Sequence, residues 1–250
     1  MITPGAILEG KTALITGSAR RLGRATALAL AGAGADIVVH YRGSAAEAER
    51  VVEEIGGVGR KAWAIGADLA VRREAEGLIE RAAQAAGPLT ILVNSASVFP
   101  PGGLDTITMD DLQKNIELNA WAPLLLGRKF AAQTETGHIV NFLDTKVAGY
   151  DWGHAAYHAS KVMLELFTRM MAIRFAPGIA VNAVAPGLIL PPAGKDGQYL
   201  EGLKDSTLLK RAGDPKQVAD AVLFLVTSEY ITGQVIFVDG GRHLKGGDLG

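Results

Sequence analysis

Tyr157 and Lys161 stand four residues apart in HAAYHASKVMLELFTRMMAIRF, a stretch of helical patterning. A helix sets both on one face, with the ammonium near the phenol. A tyrosine left alone titrates near pH 10, whereas a neighbouring cation favours its phenolate and brings proton transfer toward neutrality. That chemistry suits reduction of C=O or C=N bonds. Asp144 lies just past HIVNF, where the carboxyl end of a parallel strand reaches a ligand crevice. Its carboxyl group could orient a substrate or share a proton with Tyr157. Asn119, in the helical stretch LNAWAP, could hold a water or kink the helix through side-chain to backbone bonding; buried polar packing is the alternative.

These residues need a frame, and the order of hydrophobic periods supplies one. KTALITGSARRLGRATALALAGAGADIVVHY passes from a short apolar run to a helix-like stretch and back, the pattern of a βαβ unit. Strands are predicted near Thr12 to Thr16 and Asp36 to Tyr41, with a helix from about Leu22 to Ala33 between them. The cycle repeats: a helix from Ser44, a strand in KAWAIGA, a helix in VRREAEGLIERAAQAAG and a strand in TILVNSA. HIVNFL, GIAVNAVA and QVIFVDG complete the strand candidates. Short apolar strands without strict alternation belong to a parallel sheet covered on both faces. The expected fold is α/β: a single doubly wound, Rossmann-like domain over residues 1–250 with a mainly parallel seven-stranded sheet. No composition break or linker divides the chain.

The 250 residues are 48% hydrophobic and 20% charged, enough for a sizeable core and too apolar for disorder. Twenty-five basic residues against 26 acidic ones leave no positive field for nucleic acid. The absence of cysteine excludes disulfides, thiolate catalysis and cysteine-ligated zinc. His40, His138, His154, His158 and His243 form no HExxH-type set, so no metal site is expected. The start MITPGAILEGK lacks a basic segment followed by an apolar run, and no 18-residue uncharged apolar stretch follows. A soluble, cytoplasmic protein without a membrane role is the expectation.

Thr16 to Gly23, TGSARRLG, follows the first strand and opens the first helix, where unpaired amides and the helix dipole favour an anion. Gly17 permits a tight turn and Gly23 a close backbone approach. The segment is not GxGxxG, yet its place between strand and helix points to a dinucleotide. At the end of the second strand, His40-Tyr41-Arg42-Gly43-Ser44 carries no carboxylate to hold ribose hydroxyls. Arg42 can pair with a 2′-phosphate and Ser44 can donate to it, which favours NADPH over NADH. Ser44 with Glu47 also reads as a capping box, and Arg42 as a solvated turn residue. Asp68, after the third strand, could fix the adenine edge or cap the next helix. Asn94-Ser95-Ala96-Ser97 and Val184-Ala185-Pro186-Gly187 fall at the same carboxyl edge.

With TGSARRLG, NSAS, Asn119, YHASK at Tyr157 to Lys161, APG at Ala185 to Gly187 and VDGGRHL at Val238 to Leu244, the chain resembles the short-chain dehydrogenase/reductase family over nearly its full length. The resemblance implies Tyr157 as proton donor, Lys161 as its perturber and ribose ligand, and Asn119 as holder of a relay water. It implies NADPH contacts along the crevice, at Gly17, Arg21, Leu22 and Gly23 and then at His40, Tyr41, Arg42 and Ser44. Asp68 and Leu69, Asn94 to Ala96, and Pro186 and Gly187 continue that set. A homotetramer built through the Tyr157 helix and the C-terminal segment is also implied.

Most members carry glycine at Arg21 and serine at Asp144; the exchange resembles pteridine reductases and bacterial dihydromonapterin/dihydrofolate reductases. HYRGSAAEA and the GGRHL tail point the same way. By that resemblance Arg21 touches pyrophosphate and substrate, Ser97 touches the pterin, and Phe99 sandwiches its ring against nicotinamide. A flat heterocycle gains from such aromatic contact, although Phe99 also reads as a loop anchor. His154 stands where some pteridine reductases have tyrosine, and Gly43 where they have arginine. The expected activity is therefore NADPH-dependent reduction of a pterin substrate (biopterin, dihydrobiopterin, dihydromonapterin or dihydrofolate type). Reduction of another carbonyl, such as a 3-oxoacyl thioester or small ketone, is the alternative, and a silent dinucleotide-binding protein a third. Trp121 and Trp152 could pack or line a cleft, and Leu188 to Thr207 reads as an irregular polar segment over the crevice or a surface connection.

Overall fold

The computed structural model describes residues 7–192 and 194–245. The short apolar runs form strands β1 (Thr12–Thr16), β2 (Asp36–Tyr41), β3 (Ala62–Gly66), β4 (Ile91–Asn94), β5 (Gly137–Phe142), β6 (Ile179–Pro186) and β7 (Val235–Val238). They pair in one sheet in the order β3-β2-β1-β4-β5-β6-β7, every neighbouring pair parallel. This is the expected Rossmann-like α/β domain. The order reverses between β1 and β4, which opens a crevice beyond the carboxyl ends of those strands.

Helices α1 (Arg21–Gly32), α2 (Ala45–Gly57), α3 (Arg72–Ala86), α4 (Met109–Ile116), α5 (Ala122–Ala131), α6 (Ala155–Phe175), α7 (Gly197–Leu203) and α8 (Pro215–Thr227) follow in chain order. Residues alternate across the sheet, so one strand feeds two cores. Ile15, Ile37 and Val39 pack with Leu30, Val51, Ile55 and Val222 from α1, α2 and α8. Leu14, Val38 and Leu92 pack on the opposite face with Leu78, Leu126 and Phe130 from α3 and α5. At about 1.5–3 kcal/mol per fully buried large aliphatic or phenyl group, this two-sided burial fixes the strand ends that carry the site.

Two expectations change. Ser44 precedes α2 with ψ 53° rather than extended backbone, makes no capping bond, and Glu47 pairs instead with Arg20 across the turn. The capping box is absent because the carboxylate finds a guanidinium first. The segment read as irregular from Leu188 to Thr207 contains α7, started by Asp196, whose side chain accepts the Gln198 amide. Residues 1–6, part of the stretch read as lacking a leader, lie outside the described residues, as do residues 246–250 of the predicted domain. Among the described residues no helix is long and apolar enough to cross a membrane.

Candidate active site

A cleft of about 940 Å³ runs along the carboxyl edge, lined by the β1–α1 turn, the end of β2, the loops after β4 and β5, the face of α6 and the segment after β6. Its size lies in the range of a large ligand site. At its floor Gly17 has φ +66°, and a Cβ there would stand 2.9 Å from the Ala96 Cα. A Cβ on Gly23 would lie 2.4 Å from the Gly17 carbonyl oxygen. The two glycines thus fold the turn onto itself and leave its open face to a ligand. Helix α1 starts without a side-chain cap or acidic residue in its first turn, so its amides suit a phosphate.

His40 lines the cleft, as a cofactor contact would, and also braces the glycine turn from within. It is 2% exposed, its Nδ1 accepts the Gly17 N–H at 3.1 Å, and its Nε2–H donates to the Ala67 carbonyl at 3.0 Å. The ring is a neutral strut that holds the glycine turn. Burial lowers its pKa from 6.5 to about 4. The unfolded chain therefore takes up a proton first as pH falls; the stability from the neutral ring is complete above pH 6.5 and is lost progressively toward pH 4. A 2.5-unit gap corresponds to about 3 kcal/mol. Urea unfolding at pH 7 and pH 4.5 is expected to show that decline in the wild type and a shallower one in His40→Gln; parallel declines would refute the strut.

Arg21 holds φ +53°, the left-handed region that favours glycine, and its guanidinium donates to the Pro191 carbonyl at 2.7 Å. It thereby joins the phosphate turn to the segment after β6. Arg42 and Ser44 line the cleft beside Tyr41, and Arg20 joins them, giving the second-strand end a basic lining. Leu22 and Leu69 line the wall as expected, as do Ser95, Ala96, Pro186 and Gly187. Asp68 is not among the lining residues; its carboxylate accepts the Ala70 amide, the capping-type alternative. Asn94 is also set back, its Nδ2 donating to Asn141 Oδ1 at 2.9 Å. Position at a strand end does not fix which side faces a ligand.

Tyr157 and Lys161 meet Asp144 in the buried end of the cleft. The phenol donates to Asp144 Oδ2 at 2.9 Å, and the Lys161 ammonium donates to the Phe142 carbonyl at 2.7 Å and lies 5.7 Å from the Tyr157 ring centroid. Burial, and then the Asp144 charge and hydrogen bond, raise the phenol pKa well above 10. The lowering expected from Lys161 is not found in this arrangement. Burial lowers the Lys161 ammonium to about 8. Tyr157 is therefore a loaded acid and Lys161 a cation at neutral pH.

Asn119 is wholly buried in a π-helical turn, Glu117–Trp121. Its Oδ1 accepts from Ser97 Oγ and the Val98 amide, while its Nδ2 donates to the Val98 carbonyl and Ser160 Oγ. The side chain ties the loop after β4 to α6. Ser97 and Phe99 line the cleft, whereas Trp121 and Trp152 do not. Lys146 and Asp151 were not singled out in the sequence; both line the cleft with His154. The GGRHL tail reaches the site from outside: buried Asp239 accepts from Thr145 Oγ1 at 2.5 Å and bonds His243 Nδ1 at 2.8 Å, bracing the turn after Asp144. Arg242 lines the cleft.

A family model described as enoyl-(acyl carrier protein) reductase matches residues 17–243. A 3-oxoacyl-[acyl-carrier-protein] reductase of Synechocystis is 36% identical, the match covering 94% of this chain and 97% of the relative. The FolM alternative dihydrofolate reductase 1 of Brucella suis, solved with NADP, superposes with TM-score 0.92 at 30% identity, covering 97% of this chain and 98% of the other. The promiscuous reductase LugOII, which catalyses keto-reduction at C1 during lugdunomycin biosynthesis, superposes with TM-score 0.89 at 35% identity over 96% and 100% of the two chains.

Proposed function

The chain belongs to the short-chain dehydrogenase/reductase family, and from that premise we propose that it reduces ketones with NADPH, in the cytoplasm, as a homotetramer. It is an NADPH-dependent oxidoreductase acting on a carbonyl substrate. The observation that carries the ketone reading is the buried Tyr157 phenol, 2.9 Å from Asp144 Oδ2 and on one helix face with Lys161, in the cleft that the glycine turn opens. Keto-reduction by LugOII and the 3-oxoacyl reductase of Synechocystis support it.

The glycine turn and the α1 amides would hold the cofactor pyrophosphate, with Arg42, Ser44 and Arg20 around the 2′-phosphate. Bound there, NADPH supplies a hydride. A substrate oxygen displaces Asp144 as acceptor of the Tyr157 proton, and takes that proton as negative charge develops on it. The buried Lys161 cation offsets the phenolate left behind, and Asp144 is the group through which the proton returns. Asn119 is assigned to positioning, since its amide is committed to Val98 and Ser160. The tetramer reading draws on exposed apolar side chains along α6 and toward the C-terminal end. Val162, Leu166, Met170 and Ile173 run exposed along α6, and Phe224, Tyr230 and Leu244 lie exposed in α8 and beyond. An apolar helix face of this kind suits an isologous contact between copies of the chain.

A second reading, pterin reduction, is favoured by Arg21 with Asp144 and by the Brucella suis structure. NADPH oxidation with ketones, a 3-oxoacyl thioester and dihydropterins, wild type beside Asp144→Ser, separates the two. The ketone reading expects ketone turnover in both proteins, within about tenfold of each other, because a hydroxyl can still accept from Tyr157. Turnover confined to dihydropterins and lost in Asp144→Ser would replace it with the pterin reading.

A further inference from the structure

The proton chemistry leaves a second polar cluster on the cleft wall unused. Asp151 has a side chain only 1% exposed, yet it accepts from Lys146 Nζ at 2.5 Å, His154 Nδ1 at 3.1 Å and the Gly153 amide at 3.0 Å. A carboxylate so enclosed is sustained only by such partners. Burial pushes its pKa up, and the Lys146 and His154 contacts outweigh that, leaving it below the ordinary value. Its partners are the more exposed members, with side chains 12% and 25% accessible.

The arrangement gives the wall a definite chemistry. With Nδ1–H committed to Asp151, Nε2 is the other polar atom of His154, an acceptor while the ring is neutral. The ring stacks on Phe99 with centroids 3.8 Å apart and planes 16° from parallel. Phe99 in turn meets Tyr157 edge-on at 4.6 Å and has Lys146 Nζ 5.7 Å from its centroid. Backbone bonds from the Gly102 amide to the Gly153 carbonyl and from the Ala155 amide to the Gly102 carbonyl lock the two loops together. A half-exposed aromatic surface, an acceptor nitrogen and an ammonium thus stand beside the proton donor.

We propose, resting on the ketone-reductase reading, that Lys146 and His154 anchor a planar conjugated ketone by an acidic ring hydroxyl. The hydroxyl donates to His154 Nε2, the Lys146 ammonium stabilises its oxygen, and Phe99 packs on the ring. Asp151 is a positioning residue that aims both groups and sets the imidazole tautomer. A methyl ether of the same ring keeps the packing and loses the donor.

Calorimetric titration of the NADP+-loaded enzyme with 2-naphthol and with 2-methoxynaphthalene tests the anchor without any reducible group. One hydrogen bond with charge assistance makes 2-naphthol about tenfold the tighter ligand of the wild type. In Lys146→Met and in His154→Phe that preference falls to threefold or less, on the order of one lost bond. Asp151→Asn lowers the preference with 2-methoxynaphthalene affinity unchanged, as misaimed partners require and a collapsed cleft would not give. Equal or undetectable binding of the two ligands by the wild type, or a preference that survives both partner substitutions, overturns the anchor. Absence of ketone turnover with the naphthol preference intact overturns the ketone reading alone.

Discussion

Tyr157→Phe is expected to lower kcat for ketone reduction by about 10²–10⁴-fold, with NADPH affinity changed by less than about threefold. The substitution removes one oxygen and little else. The ring that meets Phe99 edge-on remains, and Lys161 keeps its own anchor on the Phe142 carbonyl. What disappears is the proton that burial and Asp144 hold on the phenol at neutral pH. Single-turnover mixing of NADPH-loaded enzyme with ketone reads the chemical step, and fluorescence titration reads cofactor affinity. A variant that turns over within about threefold of wild type would assign the proton to another donor.

Gly23→Ala is expected to disable the cofactor turn from inside the fold. Its new Cβ would stand 2.4 Å from the Gly17 carbonyl oxygen and 2.9 Å from the Ser18 Cα, both backbone atoms. No flexible side chain is there to yield, so the turn must open and α1 must shift. Overpacking of this kind costs about 1–3 kcal/mol of stability. Displaced amides lose their phosphate geometry, and the NADPH dissociation constant should rise about tenfold or more. Gly77→Ala is the matching control: it lies within α3, meets nothing within 4 Å, and should gain about 0.5–1 kcal/mol. Chemical denaturation and nucleotide titration on the pair check both signs. Unaltered NADPH binding in Gly23→Ala would show that the turn does not cradle the cofactor.

The strands were legible because a parallel sheet covered on both faces needs short unbroken apolar runs, and DIVVHY or HIVNFL has few other uses. Tyr157 with Lys161 was legible for a related reason, since helical spacing alone sets two side chains side by side. Facing was harder. His40 sits at the end of β2 and lines the cleft, but its bonds to Gly17 and Ala67 follow from no sequence pattern. Asp68 and Asn94 likewise sit at strand ends and bond protein groups. The capping box at Ser44 failed because Arg20, distant in sequence, competes for Glu47. Lys146, Asp151 and His154 converge through a short 3-10 turn, Thr145–Ala148, and the bend that follows, and no periodic pattern encodes that geometry. Helix α7 hid in a polar segment because its buried face is slight; none of its residues is fully enclosed.

The central claim, hydride delivery to a ketone carbon paired with a proton from Tyr157, is tested most directly by isotope transfer. Wild-type enzyme is incubated with NADPH deuterated at C4 on the transferred side and with a planar ketone, and the product is examined by mass spectrometry and NMR. The account predicts one deuterium, on the carbinol carbon, in amount equal to the NADPH oxidised, and formation of that product slowed by about 10²–10⁴-fold in Tyr157→Phe. Oxidation of NADPH without deuterium on a carbinol carbon, or labelled alcohol formed equally fast by Tyr157→Phe, would contradict it.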